Sequence, residues 1–301
     1  MFEYERTIFI HLITYLLTLT INGVIIALKL TFFDLNLGNS VLIETCTMNM
    51  LFDLGINEQT GKNPLFSFNG NLDYLIISHP HKDHISGISR IDYKTPKVFR
   101  RNTTMPLNLI FEQIDKAQTS TDRKLYEEYL NLDKKFTVPV PDTIDPDNSF
   151  VNGDLILKHY TPIKNDVKDL NYYSLTTFLE YDGFKILLMG DNTKTNIEEL
   201  LNNLDFLKNA QNIDLFLAPH HGRLSCYKQE LMDFLNPKIT IISDKSNSDD
   251  VTASSKYSSN SRGDWVLKNA ELVKRSCLTT RNDGTIYVII NNGTLNIYCE
   301  K

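Results

Sequence analysis

Cysteine is scarce in this chain, and its spacing argues against a disulfide-bonded secreted domain. The four cysteines among 301 residues are Cys46, Cys226, Cys277 and Cys299. They show neither the paired spacing of a disulfide framework nor the short spacing of a zinc knuckle. Because free thiols are typical of a reducing compartment, the sequence predicts a cytoplasmic protein.

An excess of basic residues is also missing. The chain has 31 Lys and Arg against 37 Asp and Glu, which gives a formal net charge of −6. Proteins that bind long nucleic acids usually carry a large basic surface, and this composition argues against one. A phosphodiester substrate is still compatible with it, because two divalent ions would attract a phosphate locally.

No uninterrupted apolar run reaches the length of a membrane span, about 20 residues. The longest candidate, residues 8–28, is interrupted by polar side chains. These are His11, Thr14, Thr18, Thr20 and Asn22. The N-terminal extension, residues 1–27, is therefore either an added hairpin or packed helix, or a contact for a membrane or a partner protein. No small-residue cleavage site stands out in it, which argues against a secretory signal.

Four side chains that bind metals occur within six residues, directly after a short apolar segment. Residues 74–78 read YLIIS and predict a buried strand, and residues 79–84 read HPHKDH. A strand that ends in a loop presents alternate side chains to one side, so His79 and His81 can converge on one ion. Asp83 and His84 can then serve a second ion. Two adjacent divalent ions can activate water, so the motif predicts a hydrolase.

Two later apolar segments each end in further candidates. Asp191 follows residues 185–190 (KILLMG), and His220 and His221 follow residues 214–219 (DLFLAP). A carboxylate at a strand end can reach an ion. One of the two histidines would ligate, and the other would orient substrate or transfer a proton. We predict that His220 ligates and that His221, with Asp83, assists proton transfer.

These motifs resemble the metallo-β-lactamase-fold hydrolases, whose mark is the pattern His-x-His-x-Asp-His after a strand. Residues 30–44 are similar to the opening hairpin of that family, and residues 50–55 to its second strand and Asp-Gly turn. The ending Pro-His-His-Gly at residues 219–222, with Ser225 three residues on, resembles one branch, the hydrolase domain of the DNA-uptake protein ComEC. The resemblance extends from residue 28 to the C-terminus.

The resemblance implies a four-layer αββα sandwich of the α/β (α+β) class. It implies two divalent metal ions, Zn²⁺ or Mn²⁺, as cofactors. In the implied ligand set, one ion is bound by His79 and His81. The other ion is bound by Asp83, His84 and His220, and Asp191 bridges the two ions. The ComEC branch implies hydrolysis of DNA strands by a bridging hydroxide.

The chain departs from the wider family at Asn171. This residue occupies the place of a further metal-binding histidine, 20 residues before Asp191, so the first site is one ligand short. Residues 171–175 (NYYSL) instead resemble a motif of the ComEC branch. We predict substrate-binding roles for Asn171, Ser174, Ser225 and Tyr257. His159 is a spare metal candidate, although a lone histidine at a strand end is more often structural.

Two loops are expected near the active site. In the opening hairpin, Asn39 stands where the ComEC branch has an aspartate, while Gly38 and Ser40 remain. Residues 245–260, which include Tyr257, are rich in Ser, Asn and Asp and predict a second loop.

The remaining sequence predicts a hydrolase domain over residues 28–301 with a helical insertion at about residues 93–150. Residues 107–136 predict one or two amphipathic helices, which form either a cap near the cleft or structural filler. Lys97, Arg100 and Arg101 form a small basic cluster, which is either a substrate track or a solvated face.

Three functions remain open from the sequence. The first is a metal-dependent phosphodiesterase or nuclease with a nucleic acid or nucleotide as substrate. The second is hydrolysis of a small-molecule ester, such as a cyclic nucleotide, a phosphocholine ester or a lactone. The third is a non-catalytic regulatory or binding module that holds a membrane or protein partner through residues 8–28. The sequence indicates no oligomeric state.

Overall fold

The strands of this protein, described by a computed structural model, form two sheets that pack face to face. The structure describes residues 28–36, 38–136, 139–152, 154–164, 166–244 and 252–301. The predicted N-terminal extension, residues 1–27, lies outside the described residues.

The strands and helices are short and alternate along the chain. The strands are β1 (Leu28–Phe32), β2 (Val41–Glu44), β3 (Asn49–Phe52), β4 (Tyr74–Ile76), β5 (Val98–Arg100), β6 (Ile156–Tyr160), β7 (Thr176–Tyr181), β8 (Phe184–Met189), β9 (Leu215–Leu217), β10 (Ile239–Ile242), β11 (Asp264–Lys268), β12 (Glu271–Arg275), β13 (Cys277–Thr279), β14 (Ile286–Asn291) and β15 (Thr294–Cys299). The α-helices are α1 (Lys82–Ile85), α2 (Asn108–Lys116), α3 (Ser120–Lys135), α4 (Ser149–Asn152), α5 (Lys194–Leu200), α6 (Leu204–Asn209), α7 (Gln229–Leu235), α8 (Ser254–Ser259) and α9 (Thr280–Asp283).

Within the described residues, one sheet has nine strands in the order β12-β11-β15-β14-β1-β2-β3-β4-β5, and the other has six in the order β13-β10-β9-β8-β7-β6. β3, β4 and β5 run parallel in the first sheet. β8, β9, β10 and β13 run parallel in the second. Parallel strands need both faces covered, and here one face packs on the other sheet and the opposite face on helices.

The alternation of side chains along the central strands explains the layers. In β4, Ile76 points into the core between the sheets, whereas Leu75 points to the helical side. In β8, Leu188 faces the other sheet and Leu187 faces the helices. Successive side chains of a strand lie on opposite faces, so strands that are apolar throughout supply two cores at once. The mixed α/β sandwich of two sheets and helices is thus confirmed.

Residues 107–136 of the insertion contain two helices, α2 and α3, where the sequence predicted one or two. α3 starts at a capped end, because the Thr119 hydroxyl accepts a hydrogen bond from the Asp122 backbone N–H at 3.0 Å. Lys134 and Lys135 lie in its last turn, where they complement the helix dipole. α3 packs on the loop that carries the histidine motif, through contacts with α1.

The prediction of a loop over residues 245–260 is wrong for the C-terminal part of this segment. Residues 254–259 form α8, whose Tyr257 is 1% exposed and packs edge-on against Tyr227. Burial of this aromatic ring outweighs the polar composition of the segment. Residues 245–251 lie outside the described residues. In the part of the chain that the structure describes, no helix has the length and apolarity needed to cross a membrane.

The carboxyl ends of parallel strands from both sheets meet at one edge of the sandwich. Leu175, just before β7, donates its backbone N–H to the Ser78 carbonyl beyond β4, at 2.8 Å. Asp53 and His79 follow strands of the first sheet, and Asp191 and His221 follow strands of the second. Polar side chains that are distant in sequence therefore converge where two sheets end.

Gly55 allows the loops at this edge to touch, and we predict that Gly55→Ala destabilises the fold. An added Cβ would lie 2.2 Å from the Asp83 carbonyl oxygen and 2.5 Å from the Asn39 nitrogen, both backbone atoms. Such overpacking should lower the free energy of unfolding by about 3 kcal/mol, measured by urea denaturation. The control Gly61→Ala meets no atom within 4 Å and should cost about 1 kcal/mol for its positive φ. Equal losses in the two variants would contradict the prediction.

Candidate metal centre

The first group of candidate ligands consists of His79, His81 and Asp191. His79 Nε2 and His81 Nδ1 face each other at 2.9 Å, and His79 Nε2 lies 3.8 Å from Asp191 Oδ2. One ligand atom from each residue lies within 4.8 Å of the others. This spacing would allow the three side chains to converge on a single ion.

The second group consists of Asp83, His84, His221 and, again, Asp191. His84 Nε2 lies 3.1 Å from Asp191 Oδ1, and His221 Nε2 lies 3.1 Å from Asp83 Oδ2. His221 Nε2 is 3.8 Å from Asp191 Oδ1. Asp191 therefore offers one carboxylate oxygen to each group, which is the position of a bridging ligand.

The donor set fits divalent metal ions. Imidazole nitrogens and carboxylate oxygens suit zinc, manganese and iron. His84 Nε2 is buried and has no hydrogen-bond partner of acceptable geometry among the described residues, although it faces Asp191. A buried polar atom without a partner is costly, and a metal ion would satisfy it.

Charge compensation holds the acidic residues ionised. Burial would raise the pKa of Asp191, but His84 and His221 outweigh it and hold the pKa well below the ordinary value. Burial would lower the pKa of His84, but Asp191, Asp53 and Asp83 raise it well above the ordinary value. Burial and the neighbouring His84 lower the pKa of His79, so its neutral imidazole can ligate.

Asp53 orients His84 and was missed as a functional residue by the sequence analysis, which assigned it only to the Asp-Gly turn. Its buried carboxylate accepts hydrogen bonds from the Ser78 backbone N–H at 2.7 Å and from Asn39 Nδ2 at 2.8 Å. His84 Nδ1 donates to Asp53 Oδ2 at 2.7 Å, which turns Nε2 towards Asp191. Such outer carboxylates fix the tautomer and orientation of ligating histidines. Its position directly after a buried strand, like that of Asp191, was the available signal.

Gly190 brings Asp191 close to the histidine motif. A Cβ at this position would lie 2.5 Å from Ser78 Oγ and 3.3 Å from Ser174 Cβ. Any other residue would push the strand ends apart, so the glycine is required for the close approach.

His220 and His221 both have positive φ values, 50° and 54°. Non-glycine residues in this region are strained and need surrounding contacts to hold them. His221 Nδ1 donates to the Ser243 carbonyl oxygen at 2.8 Å, which leaves Nε2 directed at Asp83. The His220 backbone N–H donates to the Gly190 carbonyl at 3.1 Å.

The geometry differs from the predicted roles of these two histidines. Both ring nitrogens of His220 have other neighbours: Nε2 accepts from Arg223 Nη1 at 2.7 Å, and Nδ1 lies 3.2 Å from Cys226 Sγ. Only His221 belongs to the four-residue group, although His220 Nε2 is 3.4 Å from Asp191 Oδ2. The geometry thus favours His221 over His220 as the ligand.

The four predicted substrate-binding residues lie in different environments. Asn171 Oδ1 and Ser174 Oγ are buried and have no hydrogen-bond partner among the described residues. Ser225 is exposed beside Cys226. Tyr257 lies in the core with its ring against Phe216 and Tyr227, so the structure does not bring it to the centre.

The other sequence candidates are engaged elsewhere. His159 Nε2 lies 3.0 Å from Asp147 Oδ1, and its Nδ1 lies 2.9 Å from Thr177 Oγ1, so it is a hydrogen-bonded structural residue. The basic cluster is paired: Lys97 with Asp73, Arg100 with Asp145 and Asp147, and Arg101 with Asp133. These pairs leave no obvious basic track in this part of the surface.

We predict that Asp53→Asn weakens metal binding without unfolding the protein. An asparagine amide would place its own N–H group against a donor, either the Ser78 N–H or Asn39 Nδ2. It would then no longer fix the orientation of the His84 ring. The affinity for Mn²⁺ should therefore fall about 10- to 100-fold. The affinity can be measured by calorimetric titration of the chelator-treated protein. The control Asp264→Asn changes an aspartate at the far edge of the first sheet, paired with Lys238, and should bind like the wild type. Wild-type affinity in Asp53→Asn would refute the orienting role.

Comparison with known proteins supports the fold and the family. A family model of the metallo-beta-lactamase superfamily matches residues 34–243, and a search of curated proteins gave no match. Among solved structures, the metallo-beta-lactamase fold protein YhfI from Bacillus subtilis is 16% identical, covering 64% of this chain and 70% of that one, with a TM-score of 0.36. Human tRNase Z, short form, is 16% identical, covering 74% and 95%, with a TM-score of 0.40. The family match spans most of the sandwich and both ligand groups, and the chain belongs to the metallo-beta-lactamase superfamily.

Proposed function

We propose that this chain is a metal-dependent phosphodiesterase that acts on DNA or nucleotide phosphodiesters. The observation that carries the proposal is that two ligand groups share Asp191. Two divalent ions held in this way supply an activated water and neutralise the charge of a phosphate during in-line displacement. The sequence resemblance to the ComEC branch supports the same reaction class.

In this proposal, His79, His81 and Asp191 hold one ion, and Asp83, His84, His221 and Asp191 hold the other. His221 therefore takes the ligand role, because its Nδ1 is fixed by Ser243 and its Nε2 faces the group. His220 takes the orienting role. It accepts a hydrogen bond from Arg223, and so holds a guanidinium group beside Asp191, where a phosphate would approach.

A small-molecule ester is the second candidate substrate, and a cavity beside the centre favours it. A cavity of about 240 Å³ is lined by Gly38, Ile56, Glu58, Lys82, Asp83 and Ser86. Lys82 pairs with Glu58 at 3.0 Å and with Asp122 at 2.9 Å, so acidic groups compensate its charge. A cavity whose basic side chain is compensated by acidic groups fits an uncharged substituent better than a polyanionic strand.

We predict metal-dependent cleavage of labelled single- and double-stranded DNA and of bis-p-nitrophenyl phosphate in the presence of Mn²⁺ or Zn²⁺. His81→Ala and Asp191→Asn should both lose this activity by a factor of about 100 or more, because each removes a ligand. Asp205→Asn, a surface aspartate paired with Lys158, is the control for Asp191→Asn and should retain it. Release of p-nitrophenol and gel separation of DNA products provide the measurements.

The outcomes separate the candidates. DNA cleavage that both ligand variants lose supports a nuclease. Cleavage of bis-p-nitrophenyl phosphate without cleavage of DNA indicates that the substrate is a small phosphodiester. Hydrolysis of a lactone or carboxylic ester without phosphodiester cleavage supports the second candidate, and no turnover with either metal would contradict both and favour the regulatory module.

We predict that His221→Ala and His220→Ala differ in metal content. Loss of His221 removes a ligand from the second group, so about one equivalent of metal should remain after dialysis, measured by elemental analysis. Loss of His220 should leave two equivalents and mainly raise the KM for a phosphodiester, because Arg223 loses its hydrogen bond to His220. The reverse pattern would restore His220 to the ligand role predicted from the sequence.

A further inference from the structure

Asn171 carries a buried oxygen that the fold leaves without a partner. Its Oδ1 is buried and meets no donor in acceptable hydrogen-bond geometry among the described residues. Its backbone groups, in contrast, are satisfied: the N–H donates to Asp169 Oδ1 at 3.0 Å, and the carbonyl accepts from the Ser174 N–H at 3.1 Å. A buried acceptor without a donor costs free energy, so such an atom indicates a missing partner.

The segment that carries Asn171 is held rigidly. Three buried asparagines donate side-chain hydrogen bonds to consecutive backbone carbonyls of residues 172–174. These are Asn196 to Tyr172 at 3.0 Å, Asn102 to Tyr173 at 3.0 Å, and Asn192 to Ser174 at 3.2 Å. The next residue, Leu175, donates to the Ser78 carbonyl, directly before His79. The position of Asn171 is therefore fixed relative to the first ligand group, as a preorganised site requires.

The side chain of Asn171 faces that group. The Asn171 amide lies within interaction range of the His81 ring, but not in the geometry of a hydrogen bond. Asn171 is thus next to His81, on the side of the first group.

The first group also has fewer ligands than the second. It offers His79, His81 and Asp191, whereas the second offers four side chains. Zinc sites usually use four ligands in a tetrahedral arrangement, and open catalytic sites use three plus water. Manganese takes oxygen ligands more readily and accepts a higher coordination number.

We propose that Asn171 Oδ1 is a further protein ligand of the first site, and that this oxygen shifts the preference of the site from Zn²⁺ towards Mn²⁺. The inference rests on the proposed metal centre and adds to it both a ligand and a metal preference. An amide oxygen is a harder and weaker donor than an imidazole nitrogen, so a site with two nitrogens and two oxygens discriminates less strongly in favour of zinc.

Metal titration of chelator-treated protein tests the proposal independently of activity. Calorimetry and the electron paramagnetic resonance signal of free Mn²⁺ report affinity and stoichiometry. The wild type should bind two Mn²⁺ ions. Asn171→Ala should weaken one of them by about tenfold or more, Asn171→Asp should tighten it by adding a charge, and Asn171→His should raise the ratio of Zn²⁺ to Mn²⁺ affinity.

Ser174→Ala is the matched control, because it removes the other buried oxygen that lacks a partner in the same segment. It should leave both Mn²⁺ affinities unchanged. Circular dichroism and thermal unfolding confirm that each variant is folded, and the Asp and His variants test the ligand role even where Ala destabilises the segment.

Each outcome is decisive. If Asn171→Ala binds two Mn²⁺ ions with wild-type affinity, or if Asn171→His leaves the ratio of metal affinities unchanged, the ligand role of Asn171 is overturned while the phosphodiesterase proposal stands. If the wild type binds no divalent metal, the proposed function fails as well. If DNA or diester cleavage depends on a metal but the Asn171 substitutions do not change metal binding, only the ligand role of Asn171 is overturned.

Discussion

The structure depends on the burial of one carboxylate, Asp191, between the ends of two sheets. This side chain is almost fully buried, with the residue 4% exposed, and burial of an uncompensated charge would be prohibitive. Compensation comes from His84 and His221, which face one oxygen, while His79 and His220 lie beside the other. Because these histidines follow strands of different sheets, the charge can be buried only when both sheets are correctly packed. The site and the fold are therefore specified together.

A second buried carboxylate, Asp53, contacts the His84 ring on the side opposite to Asp191. Asp53 is fully buried, has a positive φ of 59°, and accepts hydrogen bonds from Ser78, Asn39 and His84. Asn39 is compatible with this network because its amide donates to the carboxylate. An aspartate in the same orientation would place two acceptors together. The Asn39 amide thus supports the negative charge of the residue that orients His84.

The sequence predicted the sandwich and most of the candidate ligands because these depend on short-range patterns: an apolar strand, then a polar residue at its end. Asp191 and the residues of the histidine motif all follow this rule. The choice between His220 and His221 could not be made in the same way. It depends on Arg223, Cys226 and Ser243, and the Ser243 carbonyl is distant in sequence. Tyr257 was misplaced for a related reason, since its burial depends on Phe216 and Tyr227 and not on the polar residues around it.

The same charges explain why the metal centre can be assembled before an ion binds. Asp53, Asp83 and Asp191 raise the pKa of His84, and Asp191 and Asp83 raise that of His221, in each case against the effect of burial. The acidic neighbours thus favour the protonated imidazoles of His84 and His221. A binding ion would displace these protons instead of organising a disordered site. The extensive apolar cores on both sides of each sheet supply stability that does not depend on metal. Metal binding would therefore replace the protons of these histidines by a metal ion within a fold that is already formed. In this respect the chain differs from small domains that fold only around their metal ion.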